Sequence, residues 1–315
     1  MDPLARRLNT KPNSGLPMNS SANVMHVVLD FDGTCTQIPK VWETYLELYF
    51  KGLVEAGFKI TGNEWHEACT AVQKHSPHAG WTVAGCPAAP AAADPYILAD
   101  EAARLTLRRR GDRTPLSPEV HAKAYGAAPA PWREEALDTF SQLIDRGLRL
   151  HFVSNSSTAV ITERLKELLA NGTSLADKIS VQSDAGKFRV CELDWDDKTS
   201  SLSPEARARF GALPIAWDGG ERAKSIGRPI YLRRGAYFDA ISRVFSGDFT
   251  LLPNTVFCGD IWEMDLAMPH ALGANVHLLD RAAPFNTYEH EKRAIETYGQ
   301  RAKASDDLSG LLAWL

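Results

Sequence analysis

An α/β fold, a doubly wound parallel sheet carrying an inserted all-helical cap domain, is the architecture this sequence predicts. Three observations carry the prediction. Short apolar runs stop at polar turns: His26–Leu29 before Asp30, Leu150–Val153 before Ser154, and Thr255–Cys258 before Gly259. From Pro131 onward such runs alternate with amphipathic helical stretches, the pattern of a parallel sheet covered on both faces. Between the first run and the second lie over a hundred residues whose periodicity is helical instead.

The elements follow in order. Residues 1–24 hold Pro, Asn, Ser and three basic side chains but no apolar stretch, which predicts a mobile extension rather than a secretory signal. Core residues 25–36 lead into a helical cap over 37–132. There Trp42, Tyr45, Leu46, Tyr49 and Leu53 recur at helical spacing, so a helix ends near Gly57. Further helices are expected over 62–76, 96–109 and 117–125, with the Pro/Ala-rich segment Pro87–Pro95 as a loop. The core resumes over 133–315. Pro131 is placed to start a helix whose face is Leu137, Phe140 and Ile144, and Gly147 to end it. Strands are expected at Leu150–Val153, Ile179–Gln182, Thr255–Cys258 and Val276–Leu279, and helices finish the chain. Residues 188–232 look irregular, with a β excursion pairing Phe188–Leu193 with Pro229–Leu232.

Composition excludes several classes. Hydrophobic residues at 44% and charged residues at 23% suit a globular chain with a core. Lys+Arg 35 against Asp+Glu 39 gives a net charge of −4, which argues against neutralising nucleic-acid phosphates. A small phosphorylated ligand needs only a local cationic pocket and stays open. The five cysteines, Cys35, Cys69, Cys86, Cys191 and Cys258, are scattered with no C-x-x-C pair, so a disulfide scaffold or zinc ribbon is not expected. A reducing, cytoplasmic setting fits best. No run of roughly 18 apolar residues marks a membrane span.

Polar residues gather at three strand ends: Asp30 and Asp32, Ser154 and Asn155, Asp260 and Asp265. Parallel sheets bind ligands outside the carboxyl ends of their strands, at the topological switch point. Two aspartates two residues apart project to one side, and a divalent cation relieves their repulsion. With Asp260 and Asp265 they form a hard oxygen set suited to Mg²⁺. His75 and His78 lack a third ligand for a metal. Arg108–Arg110 reads as a solvated helix end, and Trp42, Tyr45 and Tyr49 as cap core.

Asp30-Phe-Asp-Gly-Thr34, then Ser154-Asn155, then Gly259-Asp260 with Asp265, each at a strand end, resemble the motifs of the haloacid dehalogenase superfamily, in its phosphatase branch. The likeness covers roughly residues 25–34 and 135–280, and the helical block is similar to that family's mobile cap. Asp32, lacking in the dehalogenases, points to phosphoryl chemistry. The resemblance implies a Rossmann-like fold and an Mg²⁺-dependent hydrolase acting on a small phosphomonoester through an aspartyl-phosphate. It implies Asp30 as nucleophile and Asp32 as acid and base. Thr34, Ser154 and Asn155 would bind phosphate, and Asp30, Asp32 (through its carbonyl), Asp260 and Asp265 would hold the metal.

The family's usual lysine is absent from its place before the last acidic strand, where Leu232-Arg-Arg-Gly235 stands. Arg233 or Arg234 is favoured there on position, with Lys187 as the alternative. A phosphomutase and a catalytically idle phosphate-binding module remain open beside the phosphatase.

Overall fold

A computed structural model describes residues 24–170, 176–193, 202–217 and 225–315. The expected N-terminal extension, apart from Val24, lies outside the described residues, as do parts of the 188–232 excursion.

The central sheet has six parallel strands: β1 (His26–Leu29), β4 (Arg149–Val153), β5 (Ile179–Gln182), β8 (Thr255–Gly259), β9 (Asn275–Leu279) and β10 (Ala302–Ser305). Their order is β10-β9-β8-β1-β4-β5. The chain therefore builds outward from β1 on one side, then crosses back to build on the other. The switch point lies between β1 and β8. Alternation along β1 assigns the two faces: Val28 packs with Phe257, Val276 and Leu278, while Val27 and Leu29 pack with Leu150, Phe152 and Cys258. Register then sets the site. Leu29 pairs with Phe152 on one side and Cys258 on the other, so the residues that follow all three leave the sheet together.

The insertion forms four helices: α1 (Trp42–Glu55), α2 (Gly62–His75), α3 (Pro95–Arg109) and α4 (Pro118–Ala127). Thr61 and Glu64 close a capping box on α2, and Asp94 caps α3 by accepting from Ile97 N at 2.6 Å. Tyr45, Leu46, Tyr49 and Leu53 are buried in its core, as their spacing predicts, with Trp42 partly buried against it, and Trp65 and Leu98 complete much of the rest. The block is not all-helical, however. Strands β2 (Gly80–Val83) and β3 (Cys86–Pro90) form an antiparallel hairpin where part of the Pro87–Pro95 loop was expected. A two-stranded ribbon has an unpaired edge on each strand, so the prolines of β3 displace no ladder hydrogen bond.

Three further expectations are corrected. Phe188–Leu193 does not pair along Pro229–Leu232: β6 (Ala216–Trp217) pairs antiparallel with β7 (Ile230–Tyr231), and Cys191 makes a lone bridge to Arg234. The chain end is not purely helical, since Ala302–Ser305 adds the edge strand β10 beside β9. Helix α5 (Ala136–Asp145) starts later than Pro131 suggested, because Trp132 bridges to Thr36 first.

Candidate active site

The three strand ends converge as the register requires. Asp30, Asp260 and Asp265 each offer a carboxylate oxygen within 4.8 Å of the others, and all three residues are buried. The turn after β8 explains how one strand supplies two of them. A π-helical turn over Trp262–Leu266 folds Asp265 back on Gly259, where a Cβ would lie 2.3 Å from Asp265 Cβ. Only glycine permits that approach. Ile261 N then donates to Asp265 Oδ2 at 3.0 Å and fixes the carboxylate. Gly33 serves the same end after β1: its φ is +80°, and a Cβ there would meet Asp260 Oδ2 at 2.5 Å.

Lys187 crosses the cluster. Its Nζ donates to Asp30 Oδ1 at 2.8 Å and to Asp265 Oδ1 at 2.9 Å, with only 1% of the side chain exposed. Burial works against its charge, yet Asp265 and Asp30 outweigh that and raise its pKa. Asn155 positions the lysine by accepting from Lys187 N at 2.8 Å. The left-handed φ of +56° at Gly186 turns the chain at the residue before it.

The arginines favoured on position lie elsewhere. Arg233 donates to the carbonyls of Leu213 and Gly211, each at 2.9 Å, and pairs with Glu192 at 3.1 Å. Arg234 is fully buried and ties the Lys187 carbonyl, at 2.6 Å, to the Ala88 carbonyl of the cap hairpin, at 2.7 Å. Neither guanidinium faces the carboxylates. Counting positions to the next motif misplaces the cation, because the turn after β5 reaches the site and the residues before Gly235 do not.

The two leading aspartates differ sharply in surroundings. Burial pushes Asp30 up to about 6, with Lys187 opposing the shift. Burial also pushes Asp32 up to about 6, and a hydrogen bond from Ser156 opposes it. Asp32 points away from the carboxylate trio, toward the cap: Tyr125 Oη lies 3.1 Å from both of its carboxylate oxygens, and Ser156 Oγ also donates to it. Thr34 Oγ1 sits between Asp30 Oδ2 at 3.4 Å and Asp260 Oδ1 at 3.3 Å. Ser154 is buried, its Oγ accepting from Ser156 N at 3.3 Å, and Ser157 rather than Ser154 caps helix α6 (Thr158–Leu169).

The donor set fits a hard divalent cation. Burial and the adjacent Asp265 hold Asp260 well above the usual carboxylate range, and its Oδ2 is buried without a hydrogen-bond partner. A cation is the natural partner for such an atom in an all-oxygen cluster. A cavity of about 250 Å³ opens beside it between cap and core, lined by Gly33, Gln37, Ile38, Ala93, Asp260 and Phe285.

Some motifs prove structural. Trp262 is buried against Trp217 at 5.0 Å, and Glu263 is paired with Arg228 at 2.6 Å and His290 at 3.0 Å. His78 contacts the Ile226 carbonyl at 3.1 Å. All five cysteines are free, and no described helix is long and apolar enough to cross a membrane. Tyr125 and Ser156 were not singled out by sequence. Ser156 lies in the polar Ser154–Ser157 turn, a signal that was available. Tyr125 lies 93 residues from Asp32 on a helix whose orientation periodicity does not fix.

Fold and site together define a class: a doubly wound α/β protein with an acidic, lysine-bridged cluster at its switch point and the inserted block packed beside it. No family model and no curated protein matches the chain. Among solved structures it is similar to a predicted phosphoglycolate phosphatase from Haemophilus somnus, at 13% identity over 93% of this chain and 98% of that one, TM-score 0.47. It is also similar to the putative HAD-hydrolase YfnB from Bacillus subtilis bound to magnesium, at 11% over 92% and 98%, TM-score 0.47. A third is CbbY from Rhodobacter sphaeroides in complex with phosphate, at 12% over 93% and 99%, TM-score 0.44. Likeness at this level says nothing of substrate or mechanism.

Proposed function

We propose that the chain is a hydrolase of the haloacid dehalogenase superfamily, a Mg²⁺-dependent phosphatase acting on a small phosphomonoester. The observation that carries this reading is Asp30 held in one buried cluster with Asp260, Asp265 and the Lys187 ammonium. Asp30, Asp260 and Asp265 would hold the cation, which when bound neutralises charge on the phosphoryl oxygens and on the cluster itself. Lys187 keeps Asp30 ionised as a nucleophile and offers positive charge to the phosphoryl group. Thr34 supplies a hydroxyl 3.4 Å from the nucleophile, and Ser154 would supply another to the phosphoryl group. Asp30 attacks phosphorus and takes the phosphoryl group as the ester bond breaks, and Asp32 gives its proton to the departing alkoxide. Asp32 then takes a proton from the water that hydrolyses the aspartyl-phosphate.

The idle-module alternative drew its support from a missing lysine, and Lys187 at 2.8 Å from Asp30 removes that motive. Phosphate release from a panel of small phosphomonoesters with and without Mg²⁺ tests the reading. Release is expected with Mg²⁺ alone, and Asp30→Asn should lower it by on the order of 10⁴-fold while the protein stays folded. Full activity in a folded Asp30→Asn protein would rule the covalent route out. Accumulation of an isomeric phosphate without free phosphate would indicate a mutase.

A further inference from the structure

Asp32 is met by two hydroxyls from different parts of the molecule. Tyr125 comes from cap helix α4, and its Oη lies 3.1 Å from Asp32 Oδ1 and 3.1 Å from Oδ2. Ser156 comes from the core turn after β4, and its Oγ donates to Asp32 Oδ2. The two hydroxyls are 3.0 Å apart, so the three groups form a closed ring.

Counting protons shows what the ring can do. A carboxylate has none to give, while each hydroxyl has one and can also accept. With Asp32 ionised, Tyr125 donates to Oδ1 and Ser156 to Oδ2. With Asp32 protonated on Oδ1, its O–H donates to Tyr125 Oη, Tyr125 to Ser156 Oγ, and Ser156 to Oδ2. Both protonation states are satisfied without moving a heavy atom. An acid that must become a base within one turnover needs such an environment, since a lone buried carboxylate would leave one state unpaired. The tyrosine ring is held in turn by Tyr96 at 5.4 Å and stacked on His121 at 5.7 Å, so its hydroxyl is aimed by cap packing.

We propose that Tyr125 is a positioning residue for Asp32: carried by the cap, it completes with Ser156 a hydrogen-bonded ring that readies Asp32 for proton transfer when the cap is docked. This rests on the phosphatase reading above. In the step concerned, the bond from phosphorus to the leaving oxygen breaks, Asp30 keeps the phosphoryl group, and the Asp32 proton passes to the leaving oxygen. A leaving group that is stable as an anion needs no such proton.

The test compares two leaving groups on the full chain with Mg²⁺: p-nitrophenyl phosphate, whose phenolate departs unaided, and β-glycerol phosphate, whose alkoxide does not. In Tyr125→Phe, kcat/KM for glycerol phosphate is expected to fall about 10–100-fold, against under about threefold for the nitrophenyl ester. Ser156→Ala is expected to give the same split, so the test stands if one variant fails to fold. Equal losses on both esters, or no loss on either, overturn the proposal. A wild-type protein that hydrolyses neither ester defeats the phosphatase reading and this inference with it. Wild-type turnover that Asp30→Asn abolishes, with equal losses in Tyr125→Phe, defeats the inference alone.

Discussion

Core and cap meet over the same few ångströms but contribute opposite kinds of chemistry. The core brings charge: three carboxylates and a lysine, each fixed to a strand end or a tight turn and partnered within the core. The cap brings a neutral hydroxyl on an aromatic scaffold, Tyr125 braced by Tyr96 and His121. The charged groups are bonded directly to one another on core turns, and the cap reaches them only through Arg234, whereas Asp32 takes a hydrogen bond straight from a cap hydroxyl.

Removing the core's cation is the severest way to test this division. Lys187→Met leaves Asp30 and Asp265 facing each other without it, and losing one partner of a buried pair costs about 3–5 kcal/mol. Urea unfolding should show that loss, together with loss of phosphate release. Arg233→Ala removes a guanidinium bonded to carbonyls away from the cluster, so stability should fall by about 1 kcal/mol and turnover should hold within about twofold. Similar effects from both variants would contradict the assignment of Lys187 to the site.

Gly33→Ala probes the same division at the backbone. The glycine's φ of +80° and the 2.5 Å approach to Asp260 Oδ2 both oppose a methyl group. A loss of about 1–3 kcal/mol is expected, with a smaller rise in melting temperature on adding Mg²⁺ than the wild type shows.

The smallest effect lies away from the site, where a pH titration separates core stability from catalysis. His277 is buried in β9, accepting from Trp314 Nε1 at 3.0 Å and bonded to Ser305 Oγ at 2.7 Å. Its neutral form is the folded one, and burial lowers its pKa to about 4. Because the unfolded chain binds that proton more readily, its contribution is complete above the unfolded value near 6.5 and is lost as pH falls toward 4. Melting temperature should decline over that window, and His277→Gln should flatten the decline by a few degrees.

Legibility followed the range of the interaction that made each feature. β1, β4 and β8 announced themselves by apolar runs and polar stops, and α1 to α4 by periodicity, because both signals are local. The β2–β3 hairpin did not, since Cys86-Pro-Ala-Ala-Pro90 holds no β-branched residue and takes its shape from pairing with Gly80–Val83. The strand β10, Ala-Lys-Ala-Ser, was too short and polar to signal itself. Asp30, Asp260 and Asp265 could be assembled from strand ends alone. Lys187 could be weighed but not chosen, because the choice depended on which of two turns reaches the cluster. Tyr125 was beyond reach, since its orientation depends on how a helix seats on another body.

The Arg234 bridge constrains how the site can be uncovered. Around it the hairpin side of the cap adheres to the core: Ala89, Ala93 and Ile97 pack with Ile261 and Met264, Arg228 grips the Pro77 carbonyl at 2.8 Å, and Ser76 meets Tyr288 at 2.7 Å. Lifting that side would strand a buried guanidinium and expose apolar surface, whereas parting Tyr125 from Asp32 trades hydrogen bonds for water at about 1 kcal/mol each. Any motion that uncovers the site would therefore cost least at Tyr125 and most beside Ala88.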